Sequence, residues 1–109
     1  MKLPHAAHVL IDEHKVRGYL LSNAHPVGRF KARVFAALGF EASNTQAFMG
    51  ELRRIASAGD VSELVETSYG RKYSVPGDLQ GPIGTAGVLT VWLLERGQER
   101  VRLVTVRPR

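Results

Sequence analysis

The stretch that decides the fold runs from residue 43 to residue 75, SNTQAFMGELRRIASAGDVSELVETSYGRKYSV. Before Gly59 its apolar residues recur at helical spacing, at Phe48, Leu52 and Ile55. After Gly59 the apolar period becomes two, which is typical of a strand. The stretch therefore predicts a helix that ends at Gly59 and a β-strand that follows directly.

Two further helices are predicted upstream of this stretch. Asp12 is a good N-cap for the first, a short helix that residues 22–26, SNAHP, interrupt. The second runs from about residue 27 or 28 to residue 38, where a glycine follows. Ser43 and Gln46 have the spacing of a capping box, which predicts the start of the third helix at this point.

Strands are predicted for the second half of the chain. Residues 70–71 form a tight two-residue loop between the first two strands, and residues 76–77, Pro-Gly, end the second. The third strand, residues 87–95, is the most apolar, and the last covers residues 100–106. Trp92 lies in the middle of the third strand, so we expect it to be buried.

These elements predict an α+β fold. Helices over residues 12–58 pack on a four-stranded antiparallel sheet over residues 60–106, and residues 1–109 form a single domain. The chain has no Cys, which excludes disulfides and cysteine nucleophiles. No apolar run approaches the roughly 20 residues of a membrane span, so we expect a cytoplasmic protein without membrane contact.

The last hairpin has a predicted register. With residues 96–99 as its loop, Trp92 lies opposite Leu103, and Thr90 lies opposite Thr105 on the same face. The threonine pair is either a structural pair or two hydroxyls that bind a phosphate or a ribose. Both faces of this hairpin are largely apolar. One should pack on the helices, and the other is either partly covered or available to a homodimer or protein partner.

The charge of the chain is positive and unevenly distributed. Lys and Arg number 15 against 10 Asp and Glu, a net charge of +5 with a pI of about 10.1. Residues 1–40 and 81–109 are basic, whereas residues 41–80 are acidic. If the two basic ends meet, they form one face that attracts polyanions. Genome composition or heat adaptation is the alternative explanation, because eleven of the cations are Arg.

The segment HPVGRFKARVF, residues 25–35, combines several groups suited to phosphate. His25, Arg29 and Lys31 lie close in sequence, Gly28 allows a ligand near the backbone, and the first helical turn offers free amides. Phe30, Val34, Ala37 and Leu38 form the apolar arc of the second helix. Lys31 falls on its flank, where a lysine either snorkels to water or points into a cleft.

RNA cleavage without a metal needs a base, an acid and cations that stabilise the phosphorane. The tip of the first hairpin adds two cations, Arg71 and Lys72, which are either exposed turn charges or phosphate contacts. Tyr69 or Tyr73 is a candidate acid–base partner for the one histidine of the segment. The predicted catalytic residues are His25, Lys31, Lys72 and Thr105, and the predicted phosphate-binding residues are Gly28, Arg29, Arg71 and Thr90.

Four runs of the sequence together resemble a known family. They are KLP near the N-terminus, YLLSNAHPVGRFKARVFAALGF, ETSYGRKYSVPGDLQGPIG, and VLTVWLLERG with RLVTVRP. In this order they resemble an uncharacterised bacterial domain family, whose members occur alone or at the C-terminal ends of phage-head and polymorphic-toxin-like chains. Its layout is similar to that of the barnase, colicin, EndoU and RelE-type ribonuclease toxins. Phe30 stands where members often carry a polar residue, sometimes His, which leaves His25 to supply an imidazole.

Three classes of function remain open. The first is a toxin-type, metal-independent endoribonuclease with no cofactor, acting on RNA in preference to DNA. The second is a non-catalytic binding module, antitoxin-like or accessory, that uses the apolar and basic sheet face. The third is a metal-dependent nuclease, which needs clustered carboxylates. Asp12 with Glu13 and Glu63 with Glu66 are the close carboxylate pairs, and they also fit a helix start and a solvated strand face.

Overall fold

The computed structural model describes residues 1–21 and 29–109, and it describes Tyr19, Arg29 and Phe30 by their backbone alone. The helices are α1 (Glu13–Lys15), which continues as a π-helical turn (Val16–Leu20), α2 (Arg29–Ala37) and α3 (Thr45–Ala58), with short 3-10 turns at Ala6–His8 and Ala42–Asn44. The strands are β1 (Glu63–Glu66), β2 (Gly70–Gln80), β3 (Thr85–Glu95) and β4 (Arg102–Pro108). Neighbouring strands are antiparallel in the order β1-β2-β3-β4, so the predicted α+β fold is confirmed.

Two caps explain where α1 begins and where α3 ends. The Asp12 carboxylate accepts a hydrogen bond from the backbone N–H of His14 at 2.9 Å, as expected of an N-cap. Gly59 closes α3 and donates its N–H to the Ile55 carbonyl at 2.8 Å. Both predicted caps are therefore confirmed. The interruption predicted at residues 22–26 lies outside the described residues.

The predicted capping box of the third helix is wrong. Ser43 lies inside the 3-10 turn that precedes α3, and the box begins two residues earlier, with Glu41 and Asn44 as its partners. The Glu41 N–H donates to the Asn44 side-chain oxygen at 2.7 Å. The predicted box, Ser43 with Gln46, and the observed box, Glu41 with Asn44, have the same spacing of three residues. Spacing alone cannot show which is formed, because a 3-10 turn ahead of the helix can be capped in the same way as the helix itself.

The hairpin between β1 and β2 has a longer loop than predicted. Glu66 pairs with Arg71, so four residues, 67–70, separate the paired positions, and Gly70 and Arg71 already belong to β2. The Thr67 hydroxyl closes this loop, because it accepts hydrogen bonds from the N–H groups of Tyr69 and Gly70, each at 3.1 Å. Gly70 has a φ of 150° and no room for a side chain beside β3.

Strand β2 also continues through Pro76 and Gly77, where the sequence predicted its end. Strand β1 pairs with β2 only as far as Ser74, so a proline at position 76 leaves no bond to β1 unmade. At Gly77 helix α3 comes close, since a Cβ atom there would lie 2.7 Å from Cγ2 of Ile55. The Pro-Gly pair is thus a helix-packing position inside a strand.

A β-bulge changes the register of the last hairpin. Trp92 pairs with Leu103 as predicted, but the ladder shifts between Val91 and Trp92. Beyond the shift Thr90 pairs with Val106, and Thr105 pairs with Val91, so the predicted threonine pair is wrong. Because successive residues of β3 point to opposite faces, the two threonines lie on opposite faces of the sheet.

The sheet has an inner face that packs on the helices and an opposite outer face. Alternation along the strands and the pairing between them place these residues on the inner face: Tyr73, Val75, Val88, Thr90, Trp92, Leu103 and Val106. All of them are buried, and Trp92 is completely so, as predicted. No helix of the described residues is long and apolar enough to cross a membrane.

Candidate functional site

The outer face carries the polar side chains of the candidate site. One row across it pairs Lys72 with Leu93 and Leu93 with Arg102. The next row pairs Val91 with Thr105. With about 4.8 Å between neighbouring strands, Lys72 on β2 lies about 10 Å from Arg102 on β4, measured between backbones. Of the predicted site residues, Lys72 and Thr105 thus share this face.

Lys31 connects helix α2 to the outer face of β4. Its Nζ donates a hydrogen bond to Oγ1 of Thr105 at 2.8 Å. Burial lowers the pKa of Lys31, and the neighbouring charges of Arg107 and Lys15 lower it further. Of the two positions expected for this lysine, in water or in a cleft, the structure places its ammonium group against the sheet.

Lys15 makes a second connection, from helix α1, at the adjacent residue of the strand. Its Nζ donates to the backbone carbonyl of Val104. Burial is the main cause that lowers the pKa of Lys15, Arg102 acts in the same direction, and Asp12 opposes both. Two half-buried lysines from different helices therefore meet β4 at consecutive residues.

We use the term β4 basic cluster for Lys15, Lys31, Arg102 and Arg107 together with the Thr105 hydroxyl. Arg102 also bonds a carboxylate of β3, Glu95, at 2.7 Å. Because the cations repel one another and two of them are partly removed from water, the cluster favours an anionic ligand. The Val104 carbonyl accepts the hydrogen bond that holds Lys15 in place, and the Thr105 hydroxyl accepts the one that holds Lys31.

Sequence reasoning missed Lys15, Arg102 and Arg107. In a regular strand, residues 102 and 107 point to opposite faces because an odd number of positions separates them. The bulge in β4 adds one residue and brings Arg102, Thr105 and Arg107 to a single face. The available signal was the repeated Arg of residues 100–109, RVRLVTVRPR, which indicates charge without assigning it to a face.

Thr90 does not belong to the cluster. It is fully buried, donates its hydroxyl to the Val75 carbonyl at 2.7 Å and accepts from Trp92 Nε1 at 2.8 Å. A phosphate cannot reach this hydroxyl, so its predicted phosphate-binding position is wrong. The indole N–H in the core needs an acceptor, and Thr90 is the residue that supplies it.

Arg71 and Tyr73 also lie elsewhere. Arg71 points to the face opposite Lys72 and pairs with Glu66, with 2.8 Å between Nε and Oε1. Tyr73 is only 2% exposed and belongs to the core, so it is not accessible to a substrate. Tyr69 is exposed in the loop of the first hairpin.

Three predicted residues fall at or beyond the edge of the described chain. His25 and Gly28 lie outside the described residues, and Arg29 is described only as the first residue of α2. Their predicted roles stay predictions.

The carboxylate pairs have structural partners. Glu13 accepts hydrogen bonds from Thr45 and Gln46 of α3, and Glu66 pairs with Arg71. Within residues 1–21 and 29–109, no three His, Asp or Glu side chains are grouped as metal ligands. The described part of the chain therefore offers no carboxylate cluster of the kind that a metal-dependent nuclease uses.

The last hairpin does not present the open apolar surface considered for a partner. Val91 and Leu93, at the centre of its outer face, are only 5% and 8% exposed. Within the strands, the exposed large apolar side chains are those of β1, where Leu64 and Val65 are 44% and 39% exposed.

A pocket of about 330 Å³ lies directly beside the β4 basic cluster. It is lined by Leu10, Ile11, Asp12, Lys15, Arg102 and Leu103. The N-terminal segment forms one wall because Leu10 hydrogen-bonds along β4: its N–H donates to Val101 at 2.8 Å, and its carbonyl accepts from Leu103 at 2.9 Å. Lys15 and Arg102 belong to both the pocket and the cluster.

Comparison with known proteins identifies first the fold and then the family. A solved structure, described as a contact-dependent growth inhibition toxin–immunity protein complex from Klebsiella pneumoniae 342, contains a chain with the same fold. The TM-score is 0.71 over 91% of this chain and 98% of that chain, at 14% identity. The protein itself belongs to the DUF6883 family, a domain of unknown function that matches residues 2–109. No curated protein matches the sequence.

Proposed function

We propose that this protein is a metal-independent endoribonuclease of the toxin type, which holds the scissile phosphate of RNA on the β4 basic cluster. The observation that carries the proposal is the convergence of Lys31 and Lys15 on adjacent residues of β4. Both lysines have lowered pKa values because they are partly buried near other cations. Such an arrangement costs free energy in the free protein, and perturbed lysines of this kind are characteristic of functional sites.

The reaction requires no water and no cofactor. The ribose 2′-oxygen loses its proton and bonds to the adjacent phosphorus, the bond from phosphorus to the 5′-oxygen breaks, and that oxygen takes up a proton. The products are a 2′,3′-cyclic phosphate and a 5′-hydroxyl. The protein must therefore provide a base, an acid and stabilisation of the negative charge that develops on the phosphorane.

The cluster supplies the charge stabilisation. In our assignment Lys31 and Arg107 face the phosphate oxygens, and the Thr105 hydroxyl orients Lys31 and bonds the phosphate. A lowered pKa also suits Lys31 to donate a proton to the leaving oxygen. Lys72, on the same face two strands away, is proposed to contact a neighbouring phosphate. His25 remains the proposed base, and Arg29 and Gly28 remain proposed phosphate contacts.

The fold similarity gives context to the proposal. The similar chain comes from a complex whose description names a growth-inhibition toxin and its immunity protein. Because that description pairs a toxin with a second protein, we include a protein partner in the proposal.

The experiment is an RNA-cleavage assay in EDTA. Purified protein should cut single-stranded RNA and leave 2′,3′-cyclic phosphate ends, identified by the mass of the fragments. Lys31→Ala should lower the rate by about 10²-fold or more, which is typical of a lost catalytic proton or charge contact. Lys2→Ala is the matched control, because Lys2 is bound to Asp60 and to the Ala58 carbonyl near the end of α3. The proposal fails if no cyclic phosphate forms or if both variants cut like the parent protein.

The second candidate is a non-catalytic module of a toxin system. The description of the similar structure favours it equally, since it names an immunity protein as well as a toxin. This candidate predicts salt-dependent binding of RNA, or tight binding of a protein partner, without cleavage. The same assay distinguishes the two functions.

A further inference from the structure

We infer that the pocket beside the β4 basic cluster is a nucleobase subsite and that it selects guanine. The inference deepens the proposed function and rests on it, because it takes the bound molecule to be a nucleotide whose phosphate lies on the cluster. It assigns a specificity role to Asp12 and a contact role to Leu10 and Ile11.

The volume and the lining of the pocket fit a small, partly polar organic ring. Its volume of about 330 Å³ lies at the lower end of the range for small-molecule sites. Half of its lining residues are apolar: Leu103, which is 5% exposed, Ile11, which is half-buried, and Leu10, which is 41% exposed. Apolar walls with a few polar groups at the rim are typical of sites that bind an organic ring.

The pocket is adjacent to the proposed phosphate position. Lys15 lines the pocket and donates to the Val104 carbonyl, while Lys31 bonds the hydroxyl of the next residue, Thr105. Successive Cα atoms are about 3.8 Å apart, so the two lysine contacts lie within the length of one nucleotide. A nucleotide can therefore place its phosphate on the cluster and its base against Leu10 and Ile11.

Asp12 provides the basis for selecting one base. Asp12 lines the pocket, and its Oδ1 caps the N–H of His14. An ionised carboxylate is only an acceptor, and it binds best to two parallel N–H donors. Guanine offers such donors side by side, at N1 and the exocyclic amine. Adenine and cytosine place a ring acceptor beside their amine, and uracil places its single N–H between two carbonyls.

The test measures binding of the four nucleoside 3′,5′-bisphosphates and of inorganic phosphate to the full chain by calorimetry. These ligands carry a phosphate on either side of the sugar, so the result does not depend on strand direction. Guanosine bisphosphate should bind at least about tenfold tighter than the other three and than inorganic phosphate, the factor that one bidentate base contact commonly gives. Equal affinities for the four bases would overturn the inference.

Two variants isolate the role of the carboxylate. Asp12→Asn keeps a good N-cap but loses the ionised acceptor, so it should bind guanosine bisphosphate only as well as the other bases. Asp60→Asn is the matched control, since Asp60 is exposed and pairs with Lys2 away from the pocket. Leu10→Ala should weaken all four nucleotides without changing inorganic phosphate. Unchanged guanine preference in Asp12→Asn would also overturn the inference.

The outcomes separate this inference from the proposed function. Cleavage of RNA without any base preference in binding would remove the guanine subsite and leave the ribonuclease. Selective binding of guanosine bisphosphate by a protein that does not cleave RNA would leave the subsite and remove the catalytic function.

Discussion

Two threonines of the last hairpin have different roles because their hydroxyls face different surroundings. Thr90 lies in the core between the Val75 carbonyl and the Trp92 indole, and it satisfies both. Thr105 lies on the outer face and accepts from Lys31. The sequence predicted site roles for both hydroxyls, or a structural pair, and placed them on one face, since it showed no sign of the bulge in this hairpin.

The first prediction compares these hydroxyls. Thr90→Val keeps the volume but leaves the Val75 carbonyl and the Trp92 N–H buried without a partner, so it should lower the free energy of unfolding by about 2–4 kcal/mol. Thr105→Val should lower it by less than about 1 kcal/mol, because Lys31 can turn to water. Urea unfolding followed by Trp92 fluorescence measures both. Equal losses in the two variants would contradict the assignment of Thr90 to structure and Thr105 to the site.

The second prediction concerns the pH dependence that Lys31 imposes on stability. Because the folded state lowers the pKa of Lys31, the unfolded chain binds this proton more tightly than the folded protein. The free energy of unfolding should therefore rise with pH between the lowered folded pKa and the ordinary value of 10.5. Lys31→Met should show a smaller rise and should be no less stable than the parent at neutral pH. A large loss of stability in Lys31→Met would indicate that this lysine serves packing instead.

At the scale of elements, hydrophobic period and caps were sufficient for much of the fold. The change of period at Gly59 predicted the order of helices and strands, and Asp12 and Gly59 predicted two element ends correctly. The sequence did not predict the loop at residues 67–70 or the continuation of β2 past Pro76. The loop depends on a local side-chain acceptor, the Thr67 hydroxyl, and the continuation of β2 depends on the short length of its neighbour β1.

The third prediction tests the contact between α3 and β2. Gly77→Ala would place a Cβ atom 2.7 Å from Ile55 Cγ2, so the helix must shift, and the variant should lose about 1–3 kcal/mol of stability. Gly50→Ala, on α3 itself, is the control, because no atom lies within 4 Å of the position that its Cβ would take. It should gain up to about 1 kcal/mol from helix propensity. Thermal unfolding that ranks the two variants in the opposite order would contradict the close approach at Gly77.

At the scale of the whole molecule, the fold gathers the charge that the sequence separates. Lys15 and Lys31 come from the basic N-terminal part, and Arg102 and Arg107 come from the basic C-terminal part. Sequence reasoning predicted site roles for Lys31 and Thr105 of the β4 basic cluster, and for Lys72 outside it, because each stands out locally by type and spacing. It could not identify the other members, because a π-helical turn follows Lys15 and a bulge separates Arg102 from Arg107.

The fourth prediction follows from the repulsion within the β4 basic cluster. A bound anion relieves it, so inorganic phosphate should raise the melting temperature above that in chloride at equal ionic strength. At a concentration about 100 times the dissociation constant the gain is about 2.7 kcal/mol. Differential scanning calorimetry should show that Lys31→Ala loses much of this gain and that Lys2→Ala keeps it. Identical phosphate effects in the two variants would place the anion elsewhere.

The most direct test of the central claim, that the β4 basic cluster binds RNA phosphates, is the salt dependence of RNA affinity. A single-stranded RNA with 2′-O-methyl groups cannot be cleaved by attack of the 2′-oxygen, so its binding is measured at equilibrium over a range of salt concentrations. If the cluster binds RNA phosphates, Lys31→Ala should make the slope of log K against log salt shallower by about 0.7, one phosphate contact on a single strand, while Lys2→Ala should leave the slope unchanged. Equal slopes for the parent and Lys31→Ala, or affinity that does not depend on salt, would contradict it.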